Sequence, residues 1–247
     1  MTKAVIFDLD GTLAASKQAV TPEMGEALGK LLDKMPVAVI SGGALHQFEN
    51  QFLQFLPTDS NLNNLFLFPT SGGECYVFGG YGYEWQIKYS HAFTSEEKDK
   101  VLDAIQKSIE EINFQKPEKI YGQQLEDRGA QITFSVNGQD APIEVKENYD
   151  PDRKKREPLA ESLRHKLPDF YIGVNAFNSI DITRKGVTKA YGIEQFSKII
   201  NIPISEMIYV GDALFAGGND DIVHTTGIAT KEVSGPDDSL EFIKTLI

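Results

Sequence analysis

The chain has 247 residues, 41% of them hydrophobic and 24% charged, an ordinary globular composition that argues against disorder. Asp and Glu number 36 against 24 Lys and Arg, giving a net charge of −12, so the chain lacks the basic footprint of a general nucleic-acid binder and would be repelled by an anionic membrane surface. A single cysteine, Cys75, excludes an intrachain disulfide and a multi-cysteine zinc site.

Four short apolar runs set the frame. Ala4-Val5-Ile6-Phe7 stops at Asp8, and Val37-Ala38-Val39-Ile40 stops at Ser41-Gly42-Gly43. Leu65-Phe66-Leu67-Phe68 stops at Pro69, and Met207-Ile208-Tyr209-Val210 stops at Gly211-Asp212. Runs this short and continuous predict strands buried on both faces. Between the first two, Thr21 and Pro22 read as N-cap and first helical residue. Met24, Ala27, Leu28, Leu31 and Leu32 then share one helical face. A second such stretch follows Lys185, with Val187, Ala190, Tyr191 and Ile193. Strands alternating with helices predict an α/β fold on a parallel sheet.

The middle of the chain has a different texture. Tyr76 to Lys88 is aromatic and Gly-rich, as in hairpins. Thr94-Ser95-Glu96-Glu97 has capping-box spacing, followed by a stripe of Val101, Leu102, Ile105, Ile109 and Ile112. Gln131 to Val136 and Asn178 to Thr183 alternate like half-exposed antiparallel strands, and the charge run Asp152 to Glu157 reads as a solvated helix face. The expected domains are therefore a core of residues 1–88 and 187–247, interrupted by an α+β insertion at 89–186.

Chemistry gathers where the parallel strands end. Asp8 and Asp10, two apart on extended chain, face one pocket, and such carboxylates need a cation or a shared proton. Ser41-Gly42-Gly43 offers a hydroxyl and approachable amides to an anion. Gly211-Asp212 and Gly217-Gly218-Asn219-Asp220-Asp221 add hard oxygen ligands of the kind Mg²⁺ takes, with Asp221's part left open. Lys189 stands where the chain returns from the insertion, with Arg184 and Lys185 as rivals for its role. In an open α/β sheet these strand ends border one crevice. A nucleophile, a hydroxyl, a metal site and a cation together suit phosphoryl transfer. No Gly-x-x-x-x-Gly-Lys-Ser/Thr loop is present, and Gly79-Gly80-Tyr81-Gly82 lacks the following helix of a dinucleotide site. His46, His91, His165 and His224 show no metal-ligand spacing.

Asp8-Leu9-Asp10-Gly11-Thr12, the Ser41 strand end, the downstream lysine and Gly211-Asp212 followed by Gly217-Gly218-Asn219-Asp220 resemble the haloacid dehalogenase-like (HAD) hydrolases, over essentially the whole chain. The long insertion between the Ser41 and Lys189 motifs resembles the type-C2 cap of subfamily IIB, and within that group Thr21-Pro22-Glu23-Met24, Asn178-Ser179-Ile180-Asp181 and Gly217-Gly218-Asn219-Asp220 resemble eukaryotic-type phosphomannomutases. The resemblance implies a Rossmann-like core with an inserted type-C2 cap. It implies that Asp8 attacks phosphorus and Asp10 is general acid and base. Asp8, the Asp10 carbonyl and Asp212 would hold Mg²⁺, supported by Asn219 and Asp220. Ser41, Gly42 and Lys189 would bind the phosphoryl group, and Arg128, Ser179 and Asp181 the sugar phosphate.

One departure stands out. The mutases clamp a distal phosphate with further cap arginines, where this chain has Gln139 and Lys146. Lys loses the planar bidentate fork of Arg, and Gln loses the charge as well. The expectation is a Mg²⁺-dependent phosphatase for a small phosphorylated metabolite, a sugar phosphate, passing through an aspartyl phosphate. The alternative is a hexose-phosphate mutase, and a third reading is a catalytically weak binding or scaffold protein that keeps the fold. The expected partner is the small phosphoester, with neither nucleic acid nor membrane, and a homodimer through the cap as the mutase relatives form. Asp8 interrupts the N-terminal apolar run too early for a secretion signal, and no run reaches the roughly 18 residues of a membrane helix, so a cytoplasmic protein is expected.

Overall fold

The computed structural model describes residues 2–79, 84–175 and 178–247. Gly80 and Gly82 of the glycine-rich stretch lie outside them. The chain divides into two compact units, Met1–Ser90 with Thr188–Ile247, and His91–Val187.

The first unit is built on a seven-stranded sheet in the order β11-β10-β1-β2-β3-β4-β5. The strands β1 (Ala4–Phe7), β2 (Val37–Ile40), β3 (Leu65–Phe68), β10 (Met207–Gly211) and β11 (Ala229–Glu232) run parallel. β4 (Glu74–Gly79) and β5 (Glu84–Ser90) extend the sheet antiparallel. The four apolar runs are the central strands because helices cover both faces. Val5, Phe7, Val37 and Val39 pack toward α1 (Pro22–Leu32) and α8 (Pro236–Lys244). Ala4, Ile6, Ala38 and Ile40 pack on the opposite side with Ile193 and Phe196 of α7 (Lys189–Ile200). Thr21 caps α1 by accepting from the Met24 N–H at 3.2 Å. β11 had no apolar signal: it is an edge strand whose Ala-Thr-Lys-Glu is largely exposed. Cys75 is buried in β4.

The second unit has a four-stranded antiparallel sheet, β6-β7-β9-β8, of Leu125–Asp127 (β6), Gln131–Ser135 (β7), Phe170–Asn175 (β8) and Ser179–Arg184 (β9). Ile132, Phe134, Ile180 and Ile182 face α4 (Ser95–Glu111) and α6 (Glu157–Lys166). The capping box starts α4: Thr94 accepts from the Glu97 N–H, and Glu97 accepts from the Thr94 N–H. The buried stripe on α4 is Val101, Ala104, Ile105 and Ser108; Leu102 falls off it and is 40% exposed.

Two expectations fail here. β7 and β9 are not half-exposed: their polar positions Gln131, Thr133, Ser179, Asp181 and Thr183 are buried too. Mutual hydrogen bonds permit this, with Gln131 donating to Thr133 and Thr133 to Asp181. The Asp152–Glu157 run is solvated at Asp152, Lys154, Lys155 and Glu157 as expected, but it is not a helix face, because α6 begins only at Glu157, and Arg156 within it is 0% exposed. Arg156 donates to the carboxylate of Asp150, itself 1% exposed, at 2.7 Å and to the Ser179 carbonyl at 2.8 Å. Among the described residues no helix is long and apolar enough to cross a membrane.

Candidate active site

In the first unit, β1 and β10 pair in parallel register with Phe7 beside Val210, so both strands end at one level. The Asp8 N–H continues the ladder to the Val210 carbonyl at 3.0 Å, and places the Asp8 side chain beside the Gly211-Asp212 turn. Gly11 then turns the chain with φ +85°; a Cβ there would sit 2.5 Å from Asp212 Oδ2, so glycine serves both the turn and the close approach. Thr12 donates to Asp212 Oδ1 at 3.3 Å.

Asp8, Asp212 and Asp220 each offer a carboxylate oxygen within 4.8 Å of the others. Lys189, in the first turn of α7, reaches in with its ammonium 2.6 Å from Asp8 Oδ1 and 2.6 Å from Asp220 Oδ1. Both carboxylates and the lysine are buried. Tyr209 donates its hydroxyl to Asp220 at 2.6 Å, and the Ala213 N–H approaches the other Asp220 oxygen at 3.3 Å. Burial drives the Asp8 carboxyl well above the usual range; Lys189 opposes this, while Asp220 and Asp212 add repulsion. Burial also disfavours the Lys189 ammonium, but Asp220 and Asp8 outweigh it and hold the amine above the ordinary lysine value. Asp212 is pushed up by burial and then by Asp220. Burial and the same Asp220 raise Tyr209, which keeps its proton to donate.

The trio fits a hard divalent cation. Asp8 Oδ2 and Asn219 Oδ1 are buried and have no hydrogen-bond partner among the described residues. Three crowded carboxylates with an unsatisfied buried oxygen form a donor set of the type Mg²⁺ takes, completed by water or substrate oxygen.

Of the remaining expected residues, Asp10 lies outside the trio. Its carboxylate accepts from the Lys17 N–H and from Gln47 and Gln51. Asp220, expected only to support the metal site, has its carboxylate in the trio itself. Asp221 instead accepts from the Gly217 N–H and closes a local turn. Ser41 is buried at the end of β2, its hydroxyl accepting from the Gly43 N–H at 3.1 Å. Gly42 lies between them. This loop is braced by the turn α3 (Pro69–Gly72): the Ser71 N–H bonds the Ser41 carbonyl and the Thr70 N–H that of Gly43. Thr70 and Ser71 both adopt left-handed backbone, φ 52° and 59°. The rivals of Lys189 are engaged in the second unit, Arg184 with Glu97 and Lys185 with the Pro168 carbonyl.

In the second unit, Arg128 follows β6 and pairs with Glu126 at 2.6 Å. Ser179 and Asp181 sit on one face of β9, opposite Ser135 and Thr133 of β7. Lys146 of α5 (Ile143–Tyr149) is 8% exposed and donates to the Gln139 carbonyl at 2.7 Å. Sequence reading missed Tyr209, Gln47 and Gln51. Tyr209 was legible only as a strand residue. The glutamines show a four-residue helical spacing, which by itself points to no ligand.

Residues 5–215 match the family model described as haloacid dehalogenase-like hydrolase. A phosphomannomutase of Spinacia oleracea is 28% identical over 243 residues, covering 96% of this chain and 92% of the relative. That of Saccharomyces cerevisiae is 27% identical, covering 98% and 93%. Among solved structures, a haloacid dehalogenase-like hydrolase from Bacteroides thetaiotaomicron superposes with a TM-score of 0.64 at 15% identity, covering all of both chains. A Plasmodium falciparum IMP-nucleotidase gives 0.70 at 14% identity, covering 100% of this chain and 70% of that one. At these identities the two solved structures speak for the fold alone.

Proposed function

Because the chain belongs to the haloacid dehalogenase-like hydrolase family, we propose that it is a phosphoryl-transfer enzyme working through Asp8 on a hexose phosphate, in the manner of a phosphomannomutase. The observation that carries the reading is the buried meeting of Asp8, Asp212, Asp220 and Lys189, with one Asp8 oxygen unengaged. Near-full-length likeness to phosphomannomutases supports the mutase over the hydrolase expected from the sequence.

In this reading an Asp8 oxygen attacks phosphorus while the bond to the sugar oxygen breaks. Asp10 gives that oxygen its proton, and in the return step takes the proton of the accepting hydroxyl. Lys189, whose ammonium form Asp220 and Asp8 favour, offsets the repulsion between Asp8 and the incoming phosphate. Ser41 and Gly42 receive the phosphoryl oxygens. Asp8, the Asp10 carbonyl and Asp212, with Asp220 and Asn219 beside them, are the residues to hold Mg²⁺, which when bound neutralises charge on the transferring group. The second unit serves as the cap, with Arg128, Ser179 and Asp181 recognising the sugar phosphate.

One observation favours a second reading, a phosphatase. The resemblance to the mutases leads one to expect arginines where this chain has Gln139 and Lys146, and the Lys146 ammonium already bonds the Gln139 carbonyl. A thinner clamp on the distal phosphate favours water as acceptor. ³¹P NMR of the protein with Mg²⁺, mannose 1-phosphate and a trace of hexose 1,6-bisphosphate separates the two. Formation of mannose 6-phosphate is expected; release of inorganic phosphate without isomerisation selects the second reading. Absence of acid-quenched phosphate on Asp8 refutes both.

A further inference from the structure

The Asp10 carboxylate accepts from three donors. Gln47 Nε2 lies 2.8 Å from its Oδ2, Gln51 Nε2 3.4 Å from its Oδ1, and the Lys17 N–H 2.6 Å from Oδ1. The two glutamines are one turn apart on α2 (Leu45–Gln51) and are linked, Gln47 Nε2 donating also to Gln51 Oε1 at 2.8 Å. Gln51 is 5% exposed, and its carbonyl accepts from the Val20 N–H, so the inner amide is held at both main chain and side chain. Both amides present Nε2 to the Asp10 oxygens, which accept.

The preceding loop is shaped to allow this. A Cβ on Gly43 would fall 2.0 Å from Gln47 Oε1, so any side chain at position 43 would displace the outer amide. Lys17 presents its N–H from left-handed backbone, φ 58°, a conformation uncommon outside glycine. Glutamine is among the side chains that lose most rotamer freedom when fixed. Two fixed glutamines and one strained backbone donor converge on a single side chain, which is the arrangement expected where its orientation is used.

We propose that Gln47, backed by Gln51, is a positioning residue for proton transfer by Asp10. This rests on the reading of Asp10 as acid and base given above. As the Asp8–phosphorus bond forms and the phosphorus–oxygen bond to the sugar breaks, the Asp10 proton must pass to that departing oxygen. The amides hold the carboxyl group within reach of it and take no proton themselves.

The test compares two phosphoryl donors. Transfer from a hexose 1,6-bisphosphate expels a hexose monophosphate alkoxide, which needs the proton, whereas transfer from p-nitrophenyl phosphate expels a stable phenolate, which does not. Rates of enzyme phosphorylation are measured by rapid quench with Mg²⁺ present. Gln47→Leu is expected to slow transfer from the bisphosphate at least about tenfold, a part of the roughly 10²–10⁴-fold that general acid–base catalysis supplies. Transfer from p-nitrophenyl phosphate should change less than about twofold. Gln47→Asn keeps the amide but withdraws it by one methylene; it carries the same expectation should the leucine variant fail to fold. Equal losses with both donors would mean a merely structural role, and no loss with either would also overturn the proposal. Asp10→Asn is the control. If it lacks the same donor selectivity, the assignment of Asp10 itself has failed, an outcome distinct from failure at Gln47.

Discussion

Replacing Arg156 with methionine removes one half of an ion pair sealed from water. Asp150, 1% exposed, would keep its carboxylate with the backbone N–H groups of Lys155 and Arg156 at 2.9 and 3.1 Å, but lose the guanidinium at 2.7 Å. Breaking a buried pair from one side costs about 3–5 kcal/mol. At about 2–4 °C per kcal/mol for a chain of this size, that is a fall in Tm of roughly 6–20 °C. A double variant, Arg156→Met with Asp150→Leu, removes the stranded charge. It does not restore wild-type stability, because the Arg156 N–H and the Ser179 carbonyl each lose a bond supplied by the pair. At about 1–3 kcal/mol for each such group, the double variant stays roughly 2 kcal/mol or more below wild type. Urea and thermal unfolding followed by far-UV circular dichroism measure both. A single variant within about 1 kcal/mol of wild type, or a double variant equal to it, would refute the reasoning.

Four further outcomes are expected. Adding Mg²⁺ at about 100 times its Kd should raise stability by about 2.7 kcal/mol through binding to the folded state; Asp212→Asn should blunt the rise, and an unchanged thermal shift in that variant would remove Asp212 from the ion's ligands. Thr94→Ala should destabilise by about 1 kcal/mol through loss of the N-cap, read by chemical denaturation. The Thr94 N–H, with Arg184, holds the Glu97 carboxyl below its usual range, so its stabilisation is present above about pH 4.3 and is lost as pH falls through the lower folded-state value. Glu97→Gln should flatten stability against pH there, and an unaltered slope would contradict the assignment. Gly11→Ala, which forces a Cβ to 2.5 Å from Asp212 Oδ2, should lower both phosphorylation rate and Tm; a fully active, equally stable variant would show that Asp212 is free to move aside.

The parallel strands were legible because their environment leaves a one-dimensional trace. Val5 and Phe7 meet one helical layer while Ala4 and Ile6 meet the other, so no position of β1 is free to be polar. Asp8 and Asp212 were legible because each follows such a strand directly. β11 left no trace, since an edge strand needs no apolar run. Arg156 misled for a related reason: a charge run does not disclose that one member has a buried partner six residues earlier. The link from Lys189 to Asp8 and Asp220 spans sequence separations of 181 and 31 residues, and Tyr209 joins it through Asp220. Local spacing carries no record of such meetings.

The left-handed pair at Thr70 and Ser71 has a consequence for anyone seeking a sturdier protein. Non-glycine residues in that conformation store strain that substitution with Gly or Asn would relieve. Thermostability screens are therefore expected to rediscover these two positions. Yet their amides tie down the Ser41 and Gly43 carbonyls, so relaxing them loosens the loop proposed above to receive phosphate. Here durability and turnover pull on the same two peptide units, and hardier variants at this corner should be slower ones.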